Sequence, residues 1–217
     1  MLVRKKKSRE FFRWLMIKPA RMIMSSFLLI GIIGFTLLML PMSTQSGFSI
    51  GPVNALFTTV SAMCVTGLVV FDTASTFSTF GRGVILGLIQ IGGLGLVTIT
   101  TFVLTIMSRK VGLKTRVLAQ ESSGSVSFIE LPSLLRSIIL MTLSFQLFGC
   151  LLYSTQFVPL FGGRKGITLS AFQSVSAFCN AGFDLMGDTQ FGPYSSLTAF
   201  SGNSVVLMTT IFLVVSG

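Results

Sequence analysis

The chain lacks histidine and is poor in acidic residues, with six Asp and Glu among 217 residues. Its three cysteines, Cys64, Cys150 and Cys179, all lie in apolar stretches, so neither a transition-metal site nor a disulfide framework is expected. Without histidine, neither a Ser/His/Asp or Cys/His catalytic arrangement nor an HExxH-type zinc site can be assembled. These absences predict a protein that is not an enzyme and has no covalently bound cofactor.

Charged residues of both signs are scarce. They make up 10% of the chain, whereas 51% of the residues are hydrophobic and the mean hydropathy is +0.85. Because a soluble domain carries about 25% charged residues, this composition predicts a polytopic protein embedded in a lipid bilayer. The net charge of +10 does not indicate nucleic acid, since eight of the sixteen Lys and Arg lie within residues 4–21, directly before an apolar run.

Five stretches contain no charged residue: 22–71, 83–108, 137–163, 166–183 and 189–217. A membrane-spanning helix needs about 20 residues, so 83–108, 137–163 and 189–217 are each expected to supply one span. The first stretch is too long for one helix. Pro41, Gly47 and Pro52 divide it into a span at about 22–40 and a second apolar segment at 53–71.

The distribution of positive charge indicates that 53–71 and 166–183 enter the membrane and return to the same side. With both segments re-entrant, the basic N-terminus and the loop at 109–136 share one side and hold thirteen of the Lys and Arg. Only Arg82, Arg164 and Lys165 then lie on the other side. By the positive-inside rule the side with thirteen is cytoplasmic, which predicts a multi-pass protein with a cytoplasmic N-terminus.

The two re-entrant segments resemble one another at a shift of 115 residues. Six of the eleven positions in 57–67 are identical to their counterparts in 172–182, ending in Gly67 and Gly182. Residues 53–63 and 168–178 suit half-length helices, and each is followed by a short string with a central glycine. Irregular backbone survives in a membrane only inside protein or beside water, and aligned carbonyls there can replace the hydration shell of a cation.

The sequence therefore predicts an all-α integral membrane fold of repeated helix, re-entrant pore loop, helix units. Its expected parts are a cytoplasmic basic N-terminus (1–21), a first repeat (22–108), a cytoplasmic loop (109–133) and a second repeat (134–217). The competing interpretation is another polytopic solute permease. Permeases usually place an ionisable residue at mid-membrane, whereas the predicted spans hold none.

Three strings carry a resemblance to a known family: AMCVTGLVVFDT at 62–73, QIGGLG at 90–95 and SAFCNAGF at 176–183. With the repeat, they resemble the potassium-translocating membrane subunit of the Trk/Ktr/HKT superfamily, closest to the bacterial Ktr type. The resemblance implies that the repeated units are of the potassium-channel type. The resemblance implies potassium uptake across the cell (inner) membrane. It also implies a potassium selectivity filter lined by backbone carbonyls at Val65, Thr66, Gly67, Leu68, Asn180, Ala181, Gly182 and Phe183.

The resemblance further implies a homodimer of the full-length subunit and a cytosolic nucleotide-binding regulatory ring docked on its inner face. Nucleic acid is not an expected partner. Asp72 and Asp184 follow the filter strings, where they are either collectors of cations at the outer mouth or ordinary loop carboxylates. Whether potassium moves together with sodium or protons is left open by the sequence.

Four repeats surround the pore in the family, whereas two are found here, and the second ends within an apolar run at 205–217. Matching Gly92 to Gly217 by the Gly-Gly run places this end about a dozen residues short of the basic stop that closes the first repeat. We therefore expect the chain to be a fragment of a longer transporter. A non-conducting truncated product is the remaining alternative.

Overall fold

The computed structural model describes residues 19–95 and 131–217. Within these ranges the α-helices are α1 (Pro19–Met39), α2 (Pro52–Met63), α3 (Thr73–Thr76), α4 (Thr79–Gly93), α5 (Leu131–Phe161), α6 (Gly163–Phe178) and α7 (Ser204–Ser216). Three short 3₁₀ turns lie at Pro41–Ser43, Met186–Asp188 and Thr198–Phe200. The described residues form no β-strand beyond an isolated bridge between Thr44 and Phe77, so the all-α prediction is confirmed for them.

Several parts of the predicted organisation lie outside the described residues. They are most of the basic N-terminus (1–18), the end of the first repeat (96–108) and nearly all of the loop at 109–133. The chain divides into two compact units. The first unit consists of Met1–Ile30 and Gly95–Ser137, and its described residues are the beginnings of α1 and α5. The second unit, Gly31–Leu94 and Ile138–Gly217, contains the candidate site.

Apolar helices dominate the described residues. Over Arg136–Phe161, α5 is the one helix of the described ranges that is long and apolar enough to cross a membrane, with a mean hydropathy of 1.7. Only 22% of its apolar window is buried within the protein, unlike the core helix of a soluble domain. Two shorter apolar helices lie at Met24–Met39 and Ser204–Ser216. The predicted span at 22–40 therefore corresponds to a helix.

The uncharged stretch at 189–217, which is expected to supply one span, forms an α-helix only from Ser204 onward. Gly192, with a φ of 84°, and Pro193 interrupt it, and turns continue to Gly202. The helix α7 begins only after Asn203, whose side-chain oxygen accepts hydrogen bonds from the N–H groups of Val205 (3.1 Å) and Val206 (3.2 Å). The polar cap, rather than hydropathy, decides where this helix starts.

Two half-length helices stand where the repeat predicts them. Gly51 has a φ of 83° and Pro52 occupies the first turn of α2, so this helix starts at a glycine-proline junction. Gly162, with a φ of 82°, opens α6 in the same way. The helix α6 begins at Gly163, five residues before the predicted start at 168. The uncharged stretch begins only at 166 because Arg164 and Lys165 lie in the first turn of α6, so the sequence placed the start of this helix too late.

An aromatic cluster holds α5 against α7 and the turns at 189–203. Tyr153 and Phe157 stack with ring centroids 5.4 Å apart, and Phe157 lies 5.1 Å from Phe200. The buried hydroxyl of Tyr153 shares a hydrogen bond of 2.7 Å with the hydroxyl of Thr210 on α7. Because edge and offset contacts between aromatic rings add to simple burial, the cluster fixes the position of α7 beside α6.

Candidate functional site

Two irregular strings follow the half-length helices: the first string (65–68) follows α2 and the second string (180–183) follows α6. Val65 and Asn180 both have a φ of 57°. Two residues further on, Gly67 has a φ of 71° and Gly182 a φ of 72°. The repeat detected in the sequence thus extends to backbone conformation, at the same shift of 115 residues.

Each string is anchored to its own half-helix by a serine. In the first string, the N–H of Thr66 donates to the carbonyl of Ser61 (3.0 Å), and the hydroxyl of Ser61 donates to the carbonyl of Leu68 (2.7 Å). The second string repeats both bonds, from Ala181 N to Ser176 O (2.8 Å) and from Ser176 Oγ to Phe183 O (2.5 Å). The serine therefore fixes where each string starts and ends.

The carbonyl groups between these anchor points accept no hydrogen bond from the part of the chain that the structure describes. Among the residues that the structure describes, no donor bonds to the carbonyl oxygens of Val65, Thr66, Gly67, Asn180, Ala181 or Gly182. Backbone carbonyls without a donor are unfavourable in an apolar environment unless water or a cation satisfies them. The two strings thus present a set of neutral oxygen ligands suited to a monovalent cation.

The strings touch one another at their glycines. A Cβ atom on Gly67 would lie 2.7 Å from the carbonyl oxygen of Ala181 and 3.2 Å from the Cα of Gly182. A Cβ on Gly182 would in turn lie 3.2 Å from the Cα of Gly67. Only residues without a Cβ allow this approach, and both positions also have the positive φ that glycine adopts without cost. The two predicted filter glycines are thereby brought together.

The predicted filter residues differ in how their side chains are placed. Leu68 is 60% exposed, whereas Phe183 at the equivalent position is 1% exposed. Ala181 is fully buried, and Thr66 is exposed, although its hydroxyl shares a 2.9 Å hydrogen bond with Ser61. The backbone of the two strings is therefore equivalent, while their side chains have different surroundings.

The Gly-Gly run of α4, Gly92 and Gly93, packs against the ends of both half-helices, where the two strings begin. A Cβ on Gly92 would overlap the carbonyl oxygen of Met63 at the end of α2, and a Cβ on Gly93 would lie 2.5 Å from the Cβ of Cys179 at the end of α6. In the second half of the chain, Gly217 lies against the carbonyl of Phe178, the residue equivalent to Met63. This contact agrees with the matching of Gly92 to Gly217 in the sequence.

A polar pair accompanies the glycines inside the helix packing. The side-chain amide of Gln146 on α5 donates to the side-chain oxygen of Gln90 on α4 at 2.8 Å. Gln146 is buried, and its backbone carbonyl accepts a 2.6 Å hydrogen bond from the hydroxyl of Ser174 on α6. Burying a side-chain amide without a hydrogen-bond partner costs free energy, and the pairing of the two glutamines avoids this cost. The bonds of Gln146 also link α5 to α4 and α6 beside the strings.

Asp72 is a buried carboxylate shared by two distant segments. One oxygen caps α3 by accepting the N–H of Ser75 (2.7 Å), and the other accepts the N–H of Tyr194 (3.0 Å). Burial disfavours the charged form, but the hydrogen bonds from Tyr194 and Ser75 outweigh it and hold the pKa of Asp72 below its ordinary value. Its bonds make Asp72 a bridging group rather than an open collector of cations.

Asp184 lies just beyond the second string, and its pKa is shifted in the opposite direction to that of Asp72. Burial, together with the charge of Asp72, raises the pKa of Asp184, although the N–H of Met186 (2.9 Å) and the hydroxyl of Ser196 donate hydrogen bonds to its carboxylate. It lines a cavity of about 260 Å³ between α6, the second string and α7. The two carboxylates that sequence reasoning treated alike therefore differ in environment.

Two of the three cations expected outside lie at one end of this unit. Arg82 at the start of α4 and Lys165 at the start of α6 both pair with Asp188, at 3.7 and 3.5 Å. The guanidinium of Arg82 also donates to the carbonyl of Ala74. Exposed ion pairs stabilise proteins by about 1 kcal/mol at most, so this cluster contributes little to stability.

Sequence reasoning missed the anchoring serines and the bridge made by Asp72. Ser61 and Ser176 were visible as identities of the repeat, but a serine in an apolar segment has no distinctive signal until its acceptor is known. The bond between Asp72 and Tyr194 joins residues 122 positions apart, which no local pattern indicates. Within the described residues, no cluster of His, Cys, Asp and Glu is arranged to hold a metal ion.

Comparison with known protein families identifies the relationship. The model of the TrkH family, described as cation transport protein, matches residues 7–217 of the chain. The chain belongs to the TrkH family. The family resemblance inferred from the filter strings is therefore confirmed, and TrkH is a family of transport proteins rather than of enzymes.

Curated TrkH relatives resemble the chain over most of its length. Ktr system potassium uptake protein B of Bacillus subtilis is 38% identical over 208 residues, which are 96% of this chain and 45% of the relative. Potassium/sodium uptake protein NtpJ of Enterococcus hirae is 35% identical over 93% of this chain and 43% of its own length. Ktr system potassium uptake protein D of B. subtilis is 33% identical, with the same coverage. The chain thus spans less than half the length of these relatives.

Proposed function

We propose that the chain contributes the first half of the pore of a potassium uptake protein, in which the two strings are two filter segments. One observation carries the proposal: both strings adopt one backbone conformation, and the carbonyls between their serine anchors have no donor among the described residues. Carbonyl oxygens held in this way replace the hydration shell of a cation. The names of the two Ktr relatives from Bacillus subtilis, both potassium uptake proteins, support potassium as the transported ion.

The finer organisation belongs to the same proposal. Each repeat is a helix, a re-entrant half-helix with its filter string, and a second helix, and four such repeats complete the pore. Ion coordination falls to Val65, Thr66, Gly67 and Leu68 in the first string and to Asn180, Ala181, Gly182 and Phe183 in the second. The end of each half-helix, with its partial negative charge, points toward its string and favours a cation there.

Membrane placement and partners complete the proposal. The chain crosses the cell (inner) membrane with its N-terminus in the cytoplasm, and the full-length subunits form a homodimer. The resemblance to the Ktr type favours a cytosolic nucleotide-binding regulatory ring on the inner face. The name of NtpJ supports sodium as a second candidate ion, either transported or coupled to potassium.

The test is potassium uptake by the whole protein that the gene encodes, expressed in a bacterium deficient in potassium uptake and supplied with a cognate regulatory subunit. Growth on low potassium supports the proposal. Absence of uptake, despite normal abundance in the membrane, would favour a permease for another solute. Expressing residues 1–217 alone in parallel separates an inactive half from a functional one.

The filter assignment itself is tested with Gly67→Ser in the whole protein. Its side chain would meet the carbonyl of Ala181 at a position with a φ of 71°, so we expect selectivity for potassium over sodium to fall. Gly83→Ser is the matched control because a Cβ on Gly83 has no atom within 4 Å. Unchanged selectivity in Gly67→Ser would contradict the filter assignment.

A further inference from the structure

Asp72 joins the two halves of the described pore region at their outer end. The side chain is 7% exposed, and its two oxygens accept N–H groups from different segments, Ser75 at 2.7 Å and Tyr194 at 3.0 Å. Ser75 follows the first string, and Tyr194 lies in the turns that follow the second. One carboxylate therefore holds the continuations of both strings.

The surroundings of Asp72 are closely fitted. A Cβ on Gly187 would overlap the carboxylate of Asp72, so Gly187 leaves no room for the carboxylate to move in that direction. The hydroxyl of Tyr194 also donates to the carbonyl of Val70, two residues before Asp72, at 3.3 Å. The stretch from Leu185 to Gly187 is buried. The contacts of Gly187 and Tyr194 therefore hold the carboxylate of Asp72 in one position.

These contacts define two points at which the strings are held against each other. The inner point is the contact of Gly67 with Ala181 and Gly182. The outer point is the carboxylate of Asp72, which lies five residues after Gly67 in the sequence. With the inner point fixed by glycine packing, the outer point decides how far apart the two strings lie at their outer ends.

We propose that Asp72 is a positioning residue that sets the spacing of the two filter strings and, through it, the preference for potassium over sodium. The inference rests on the proposed function, in which the strings coordinate the ion. The two cations require different distances to their oxygen ligands, so a change in spacing alters their relative binding. Asp72 acts through the backbone and does not itself contact the ion.

Two independent variants break the bridge. Asp72→Ala removes the acceptor. Gly187→Ala leaves Asp72 in place but displaces its carboxylate, and Gly187 has no positive φ that would add strain of its own. Gly202→Ala is the matched control in the turns that follow the second string, because a Cβ on Gly202 has no neighbour within 4 Å.

The readout is the ratio of potassium to sodium uptake by the whole transporter, normalised to its abundance in the membrane. We expect each variant to lower the ratio by roughly threefold or more, the factor by which loss of one hydrogen bond typically changes an equilibrium. Gly202→Ala should keep the parental ratio. The double variant Asp72→Ala with Gly187→Ala should match Asp72→Ala alone, because the added methyl group no longer meets a carboxylate.

An unchanged uptake ratio in Asp72→Ala at normal abundance would overturn the inference. It would also be overturned if adding Gly187→Ala to Asp72→Ala lowered the ratio by as much again as Gly187→Ala lowers it in the parent. If Asp72→Ala does not accumulate, Asp72→Asn replaces it: the amide presents a donor to one of the two N–H groups and weakens the bridge at nearly constant shape. Failure of the proposed function is a separate result, since the parental protein would then transport no potassium.

Discussion

Val65 and Asn180 adopt the same left-handed backbone angle, a φ of 57°, although neither is a glycine. For a β-branched residue such as Val65 this conformation is rare, and residues held there cost about 1–3 kcal/mol. Asn enters this region readily and Val does not, so at Val65 the contacts of the string, rather than local preference, impose the angle. The hydrogen bonds donated by the hydroxyls of Ser61 and Ser176 are among the contacts that recur in both strings.

Removing the anchoring hydroxyls is therefore expected to loosen the strings unequally. Ser176→Ala leaves the carbonyl of Phe183, a residue 1% exposed, without its donor and should cost about 1–3 kcal/mol. Ser61→Ala affects Leu68, which is 60% exposed, and should cost about 0.5–1.5 kcal/mol because water can replace the hydroxyl. Denaturant unfolding of the whole transporter measures both changes.

Ser144→Ala is the control for this pair, since its hydroxyl bonds only to the carbonyl of Leu140 within the exposed face of α5. We expect its stability to match that of the parent. Equal losses in Ser61→Ala and Ser176→Ala would contradict the difference in burial on which the prediction depends.

The repeat made much of the site predictable from sequence. Identities at a fixed shift, ending in a glycine, indicate where a half-helix ends and a string begins, because both features follow from neighbouring residues. The start of α6 was missed because Arg164 and Lys165 lie in its first turn and hydropathy treats charge as an end signal. The bridge from Asp72 to Tyr194 depends on the packing of segments 122 positions apart, which only the fold determines.

The two glycines at the end of α4 are expected to tolerate no side chain. Gly93→Ala would place a Cβ 2.5 Å from the Cβ of Cys179, where neither backbone can retreat without moving the second string. Overpacking of this kind costs about 1–3 kcal/mol. Thermal unfolding and potassium uptake should therefore both decline.

Gly87→Ala serves as the control on the same helix, because a Cβ at Gly87 has no atom within 4 Å. In that variant the higher helix propensity of alanine should leave stability equal or slightly raised. A Gly93→Ala protein as stable and active as Gly87→Ala would show that the Gly-Gly run does not position the strings.

Asp72 and Asp184 are expected to give stability opposite dependences on pH. The pKa of Asp72 is lowered in the fold, so its contribution is present above the ordinary value of 3.8 and is lost as the pH falls through the folded value. The pKa of Asp184 is raised, so the folded state binds the extra proton, and stability falls as the pH rises from 3.8 through the folded value. Below that window Asp184 is protonated in both states and contributes no slope.

The measurement is the denaturant midpoint of the whole transporter between pH 3 and pH 8, compared with that of Asp184→Asn and Asp72→Asn. Asp184→Asn removes an ionisation that burial opposes, so its stability relative to the parent should improve as the pH rises above 3.8. Asp72→Asn should instead lose stability relative to the parent at neutral pH, with the difference shrinking in acid as the parental carboxylate is protonated. Parallel curves for the parent and Asp184→Asn across this range would show that Asp184 titrates as an ordinary carboxylate in the folded protein.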